Sequence, residues 1–142
     1  MSGAAETLLH ASCVAVAGQG LLILGASGSG KSALALQLMA LGAQLVADDR
    51  TQLRREGEAL VATCPPALAG LIEARGIGIL QAPAVPEARV TLAVDLDRRE
   101  TERLPQSRNI TVLGLPLDLV LGQEGGHFPS ALLLRLTSGR VA

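Results

Sequence analysis

Hydrophobic residues occur in short runs separated by glycine, proline and charged residues, a pattern typical of strands and short helices joined by turns. Residues 8–16 and 20–24 are β-rich runs on either side of Ala17-Gly18-Gln19, and they predict two adjacent strands. Residues 33–41 are apolar on nearly every face, and Gly42 follows at the position of a left-handed C-cap. The pattern therefore predicts a strand pair followed by a largely buried helix.

The rest of the chain continues this alternation. Strands are predicted at residues 43–47, 51–55, 59–63, 89–96 and 110–115, helical character at residues 67–74, a charged loop or single turn at residues 97–104, and a closing helix at residues 128–136. Pro65-Pro66 ends the third of these strands, and Pro129 suits the first turn of the closing helix. With 142 residues, the chain is expected to form one compact domain over residues 1–142.

A glycine-rich loop follows the apolar run at residues 21–24 and leads directly into the predicted helix. It reads Gly25-Ala26-Ser27-Gly28-Ser29-Gly30-Lys31-Ser32. Glycines let backbone N–H groups curl around a β-phosphate, the lysine supplies positive charge to the β- and γ-phosphate oxygens, and the serine hydroxyl ligates Mg²⁺. The helix adds the positive end of its dipole. The segment therefore predicts a site for ATP or GTP, because a plain Gly/Ser-rich turn would leave Lys31 unexplained.

Two adjacent acids, Asp48 and Asp49, end the predicted strand at residues 43–47. In α/β proteins the carboxyl ends of the strands form the edge where ligands bind. A carboxylate at that edge can take the proton of an attacking hydroxyl, or it can help to anchor Mg²⁺. The alternative is a turn at the strand end with two solvated carboxylates.

Composition limits the partners and the location that we expect. The net charge is -1 and Phe128 is the single aromatic residue, so the chain has neither the basic surface nor the stacking rings of a nucleic-acid-binding protein. Cys13 and Cys64 show no metal-ligand or redox spacing and are expected to be reduced, buried thiols. The sequence contains neither a long uncharged apolar run nor a signal peptide, so we expect a cytoplasmic protein without a membrane partner.

Four motifs between residues 10 and 79 carry a resemblance to a known family. In chain order they are His10 before a β run, the loop at residues 25–32, Val46-Ala47-Asp48-Asp49, and Ile72-Glu73-Ala74-Arg75-Gly76-Ile77-Gly78-Ile79. Together they resemble the bacterial HPr kinase/phosphorylase family, and the last motif is the most family-specific. The chain looks like the C-terminal catalytic domain of that family, in a short form that lacks the N-terminal domain.

This resemblance implies an α/β fold in which a P-loop kinase module is set in a mixed β-sheet, related to phosphoenolpyruvate carboxykinase rather than to the doubly wound nucleoside kinases. It implies transfer of a phosphoryl group from ATP, with Mg²⁺, to a serine of HPr, the small phosphocarrier of the sugar or nitrogen phosphotransferase system. Many relatives also reverse the reaction with inorganic phosphate. Longer relatives form hexamers through this domain, so the resemblance allows a homo-oligomer, a state that the sequence itself leaves open.

The resemblance also assigns catalytic and metal-binding roles to individual residues. They are the phosphate lysine Lys31, the Mg²⁺ hydroxyl of Ser32, the proton acceptor Asp49 with Asp48 beside it, the second metal ligand Glu73, His10 near the phosphates, and the catalytic arginine Arg103. Some of these residues have plainer alternatives. Glu73 and Arg75 could form an internal ion pair, His10 could be a core or edge histidine, and Arg103 lies in a charged run that could be a solvated loop.

Two departures from the family pattern change what we expect of the activity. Ala33 stands where many relatives carry glutamate, so any role of that acid is absent here. No Lys or Arg occurs between Arg108 and Arg135, where longer relatives have a basic loop linked to dephosphorylation. We therefore expect at most weak phosphorylase activity.

Two other functions stay open. One is a nucleotide-binding regulatory protein that lacks HPr kinase activity and signals through a partner. The other is a small-molecule kinase, which ordinarily needs an arginine-bearing lid that a chain of 142 residues has little room for.

Overall fold

β-Strands dominate the computed structural model, which describes residues 5–142. The strands are β1 Glu6–Leu9, β2 Ala11–Val16, β3 Gln19–Leu24, β4 Gln44–Ala47, β5 Thr51–Glu56, β6 Ala59–Thr63, β7 Leu71–Ala74, β8 Gly78–Gln81, β9 Glu87–Arg99, β10 Arg108–Val112 and β11 Leu115–Gly122. The α-helices are α1 Lys31–Ala40 and α2 Phe128–Ser138, and a 3₁₀ turn covers Pro66–Leu68. No helix among these described residues has both the length and the hydropathy needed to cross a bilayer.

The main sheet is mixed and branches at its longest strand. Its order is β1-β5-β6-β9-β3-β2-β4, and β11 also pairs with β9 and carries β10 on its other side. The β3–β9 and β9–β11 pairs are parallel, whereas the other pairs of the sheet are antiparallel. Strands β7 and β8 form a separate antiparallel hairpin.

The central strands are buried on both faces. On β3, Leu22 belongs to an apolar cluster built from sheet strands, whereas its neighbours Leu21 and Ile23 belong to a second cluster. The second cluster includes Leu38 of α1 and Leu132 of α2. Because successive side chains of a strand point to opposite faces, one face of the sheet is covered by the helices and the other by strands.

Strand direction brings three chain segments to one edge of this sheet. Strands β3 and β9 are parallel neighbours, and β4 runs in the same direction as β3 because both are antiparallel to β2. The glycine loop after β3, Asp48-Asp49 after β4 and Asp97 near the end of β9 therefore lie at the same edge. This is the edge where ligands bind in α/β proteins.

The mixed sheet with packed helices confirms the predicted α/β class. The helix after the glycine loop, the hairpin formed by β5 and β6, and the closing helix are also confirmed. Helix α1 ends at Ala40, and Gly42 has a φ of 109°, as expected for the C-terminal turn.

The prediction of a helix at residues 67–74 is wrong. After the 3₁₀ turn, Gly70 has a φ of 75°, which ends the helical path. The strand β7 follows, in which Ile72 and Ala74 are buried while Leu71 and Glu73 are exposed. This period of two is the strand pattern, and the alanines and leucines of residues 67–74, which are good helix formers, obscured it.

Three further boundaries differ from the prediction. The run at residues 8–16 is broken at His10, because β1 pairs with β5 whereas β2 pairs with β3 and β4. Strand β9 continues to Arg99, into the segment predicted as a loop. The run at residues 110–115 contains a turn in which Leu113 and Gly114 have φ values of 51° and 80°.

Strand β11 was not predicted. Along it, Leu115, Leu117 and Leu119 are buried, whereas Pro116 and Asp118 between them are exposed. The alternation is visible in the sequence, so the strand could have been predicted from hydrophobic periodicity. Residues 115–120 are therefore part of the sheet rather than a loop.

Candidate active site

The glycine loop joins β3 to α1 and depends on glycine for its shape. Backbone φ is 155° at Gly25, 83° at Gly28 and 101° at Gly30. A Cβ atom at Gly25 would lie 2.3 Å from Ser29 Oγ and 3.0 Å from Ser29 Cβ, so Ser29 would have to move to admit a side chain. Both conformation and space therefore require glycine at this position.

Lys31 is a buried cation without an acidic partner. The residue is 6% exposed, and its Nζ donates to the carbonyl oxygens of Gly25 at 2.8 Å and Ala26 at 3.1 Å. None of the ion pairs among the described residues includes Lys31. A buried charge is costly unless it is paired, so the loop fits an anion that would supply the missing negative charge.

Asp97 holds the same part of the loop and was missed by the sequence analysis. The Ala26 N–H donates to both carboxylate oxygens of Asp97, at 3.0 and 2.9 Å. The peptide between Gly25 and Ala26 is thus fixed at both polar groups, its C=O by Lys31 and its N–H by Asp97. The signal for this contact is the parallel pairing of β3 with β9, which a single sequence does not reveal.

The carboxylate of Asp48 is the most enclosed acid of the site. Asp48 is 8% exposed, and its Oδ1 accepts hydrogen bonds from Ser12 Oγ at 2.8 Å and from Ser32 Oγ at 2.7 Å. Its Oδ2 accepts from the Glu73 N–H at 3.2 Å. Asp48 is therefore hydrogen-bonded to the serine of the loop, to β2 and to the β7–β8 hairpin.

Asp49 differs from its neighbour in both exposure and backbone shape. Its φ is 67°, in the left-handed region that residues with a Cβ seldom adopt. Its side chain is 59% exposed, and its N–H donates to Ser12 Oγ at 3.2 Å. The two adjacent acids therefore face different surroundings, one enclosed and one open to solvent.

His10 lies beside Asp49 at the surface. Its Nδ1 is 3.7 Å from Asp49 Oδ1, and its side chain is largely exposed. The structure thus brings the predicted histidine to the predicted proton acceptor. His10 occupies the break between β1 and β2.

A cavity of about 520 Å³ lies in front of the loop. Its lining includes Lys31, Ser32, Asp49 and, from the β7–β8 hairpin, Glu73 and Arg75. These five residues come from three of the predicted motifs, which therefore meet at one cavity. The alternative for Glu73 and Arg75, an internal ion pair, does not occur among the ion pairs of the described residues.

Arg103 lines a different cavity, of about 880 Å³, between β11 and α2. Arg108 and Arg135 also line it, but Arg108 donates to Glu100 at 3.0 and 2.9 Å and Arg135 donates to Asp118 at 3.1 Å. The Arg108 contact lowers the pKa of the Glu100 carboxyl. The structure does not bring Arg103 into the lining of the loop cavity, so its catalytic role stays a prediction.

The oxygen ligands near the loop fit Mg²⁺. This ion takes one or two protein carboxylates or hydroxyls and completes its shell with phosphate oxygens and water. Ser32 Oγ and the Asp48 carboxylate are in contact, and Glu73 lines the same cavity. Among the described residues, no cluster of three or more His, Cys, Asp or Glu side chains forms a self-sufficient metal site. A metal here would depend on a phosphate ligand.

Neither cysteine is placed for nucleophilic chemistry. Burial raises the pKa of the Cys13 thiol to about 12. Burial, and secondly the charge of Asp48, raise the pKa of the partly buried Cys64. Both thiols therefore stay protonated at neutral pH. The expectation of a buried thiol is confirmed for Cys13, whereas Cys64 is only partly enclosed.

Sequence comparison places this arrangement among known proteins. Residues 2–112 match the family described as HPr Serine kinase C-terminal domain. The HPr kinase/phosphorylase of Cupriavidus necator is 39% identical in an alignment 129 residues long, and this alignment covers 82% of this chain and 40% of the relative. The HPr kinase/phosphorylase of Burkholderia lata is 39% identical in an alignment 143 residues long, and this alignment covers 92% of this chain and 44% of the relative. The chain thus spans less than half the length of these curated relatives.

Structural comparison gives the same result. The solved structure of the Hpr(Ser) kinase/phosphatase from Coxiella burnetii matches with a TM-score of 0.75 and 28% sequence identity. The match covers 89% of this chain and 91% of that chain. The predicted fold, a P-loop module in a mixed sheet of this family's type, is confirmed.

We predict that Gly25→Ala weakens ATP binding by about tenfold or more, because the added methyl group strains a positive φ and displaces the loop. Isothermal titration with Mg²⁺-ATP measures the effect. Gly126→Ala is the matched control, since Gly126 has no positive φ and its Cβ would meet no atom within 4 Å. Equal ATP affinity in the two variants would show that the loop does not hold the nucleotide.

Proposed function

We propose that this chain transfers the γ-phosphoryl group of ATP to a serine of HPr in the cytoplasm. The chain belongs to the HPr serine kinase C-terminal domain family. The curated relatives are named HPr kinase/phosphorylase. ATP would bind at the glycine loop, where the unpaired Lys31 supplies the positive charge.

The observation that supports this reaction best is the difference between the two adjacent acids. Asp48 is enclosed and receives three hydrogen bonds, one of them from the loop serine. Asp49 is open to solvent and lines the loop cavity. An enclosed carboxylate suits a fixed structural or metal-supporting role, whereas an exposed one can be reached by a hydroxyl on the surface of another protein.

In the proposed reaction, the serine oxygen of HPr attacks the γ-phosphorus of ATP, and the bond from that phosphorus to the β–γ bridging oxygen breaks. Asp49 accepts the serine proton as the new bond forms. Lys31 and the N-terminus of α1 stabilise the negative charge that builds up on the transferred phosphoryl group and on the leaving group, ADP. Asp97 and Lys31 keep the loop peptide oriented before ATP binds.

Ser32, Asp48 and Glu73 are the residues that would hold Mg²⁺. When bound, the ion neutralises phosphate charge and orients the nucleotide. Ser32 and Asp48 already hydrogen-bond to each other, so both oxygens are in place on the same side of the loop.

We propose only weak reverse activity with inorganic phosphate. Phosphorolysis brings a second anion next to an anionic phosphoserine, and cationic side chains must offset that repulsion. The segment between Arg108 and Arg135 has no Lys or Arg, and Arg135 is bonded to Asp118. Lys31 and Arg75 are the positively charged side chains that line the loop cavity, and His10 lies beside Asp49.

We predict that the chain phosphorylates purified HPr when it is incubated with Mg²⁺ and radiolabelled ATP. Label should appear on a single serine of HPr, identified by mass spectrometry. Lys31→Met should abolish transfer, because it removes the cation at the phosphate site while preserving most of the side-chain volume.

The same experiment separates the kinase from a nucleotide-binding regulatory protein. Tight ATP binding without any label on HPr would favour the regulatory protein and contradict our proposal. Equal labelling by the wild type and by Lys31→Met would contradict the assignment of the loop.

We predict that Asp49→Asn lowers the rate of transfer by about 10²–10⁴-fold with little change in ATP affinity, because the amide cannot accept the serine proton. Asp48→Asn should instead weaken Mg²⁺-dependent ATP binding, since it alters the carboxylate that contacts Ser32. Steady-state kinetics at varied ATP and Mg²⁺ concentrations distinguish the two effects. Full activity of Asp49→Asn together with loss of activity in Asp48→Asn would reverse the two roles.

A further inference from the structure

Ser12 on β2 connects Asp48 and Asp49, although it lies outside the motif at residues 46–49 that contains these two acids. Its side chain is fully buried. Ser12 Oγ donates its proton to Asp48 Oδ1 at 2.8 Å and accepts a hydrogen bond from the Asp49 N–H at 3.2 Å. One hydroxyl therefore bridges the side chain of the first acid and the backbone of the second.

The direction of these hydrogen bonds follows from the chemistry of the three groups. An ionised carboxylate only accepts and a backbone N–H only donates, so the atom between them must do both. A serine or threonine hydroxyl meets this requirement with one O–H and two lone pairs. An alanine or valine at residue 12 would leave the Asp49 N–H without this acceptor.

Asp49 needs such support because of its backbone conformation. Its φ of 67° is disfavoured for residues with a Cβ, and such conformations persist only where the surroundings enforce them. The turn itself is short, with the Arg50 N–H donating to the Asp48 C=O at 2.8 Å. The contact from β2 thus ties this turn to the sheet at the residue whose side chain faces the loop cavity.

We propose that Ser12 is a positioning residue that holds Asp49 in the orientation needed to accept the substrate proton. This inference rests on the proposed function, in which Asp49 is the proton acceptor. It goes further in assigning the geometry of that acceptor to a hydroxyl on a different strand. Ser12 acts through Asp49 and does not touch the reacting atoms.

Ser12→Val and Ser12→Thr form an isosteric pair that differs only in the hydroxyl. We expect Ser12→Val to lower kcat about tenfold, because the acceptor is misplaced. The KM for ATP should change much less, since Asp48 keeps its hydrogen bonds from Ser32 Oγ and the Glu73 N–H. Ser12→Thr should keep kcat near the wild-type value. Ser12→Ala provides a smaller side chain should valine prevent folding.

Thr51→Val is the matched control for loss of a buried hydroxyl. Thr51 is also fully buried, and its Oγ1 donates to the Ala11 C=O at 2.8 Å without contacting either acid. We expect Thr51→Val to lower the thermal unfolding temperature without changing kcat. A kcat loss equal to that of Ser12→Val would mean that any lost hydroxyl in this region has the same effect, and it would overturn the proposal.

A double-mutant cycle tests whether Ser12 acts through Asp49. In the Asp49→Asn background, Ser12→Val should cause no further loss of kcat, because the group that it positions is already disabled. A further tenfold loss in that background would show that Ser12 acts by another route. Wild-type kcat in Ser12→Val would likewise overturn the proposal.

Amide hydrogen exchange gives a readout that does not depend on the kinase activity. We expect the Asp49 N–H to exchange about tenfold faster in Ser12→Val than in the wild type or in Thr51→Val, since its acceptor is gone. Unchanged exchange would overturn the positioning role. If HPr is not phosphorylated by the wild type, the proposed function fails, and this exchange rate still decides whether Ser12 holds Asp49.

Discussion

The buried carboxylate of Asp48 is the interaction on which the rest of the site depends. A carboxylate removed from water is costly unless donors replace the lost hydration. Asp48 receives them from three separate elements: Ser12 on β2, Ser32 on α1 and the Glu73 N–H on β7. Each donor is in place only when the sheet, the loop helix and the β7–β8 hairpin have taken their positions. Satisfying this one charge therefore fixes the relative placement of the glycine loop and the proposed metal ligands.

The glycine loop is also organised around a buried charge, the positive charge of Lys31. Lys31 and Asp97 hold the two polar groups of one peptide, which sets the loop before any ligand arrives. Lys31 has no acidic partner among the described residues. A bound anion would therefore supply the negative charge that this buried cation lacks. A preorganised cation and an exposed acid, Asp49, line the same cavity, and phosphoryl transfer uses groups of both kinds.

The sequence predicted the parts of the site that are local and missed the parts that depend on strand pairing. The glycine loop and the Asp48-Asp49 pair are contiguous motifs with a recognisable chemical purpose. Ser12 and Asp97 reach the site only through pairing between strands, and their partners lie 36 and 71 residues away in sequence. The error at residues 67–74 has a local cause instead, since Gly70 ends the helical path and the following residues pair with β8 in a hairpin.

The most direct test of this account is a crystal structure of the chain with Mg²⁺ and a non-hydrolysable ATP analogue. We expect Lys31 Nζ to have left the carbonyl oxygens of the loop for the β- and γ-phosphates, with Ser32 and Asp48 at the metal and Asp49 facing the γ-phosphate. The account would be contradicted if the nucleotide bound in the cavity beside Arg103 while Lys31 stayed on the loop carbonyls.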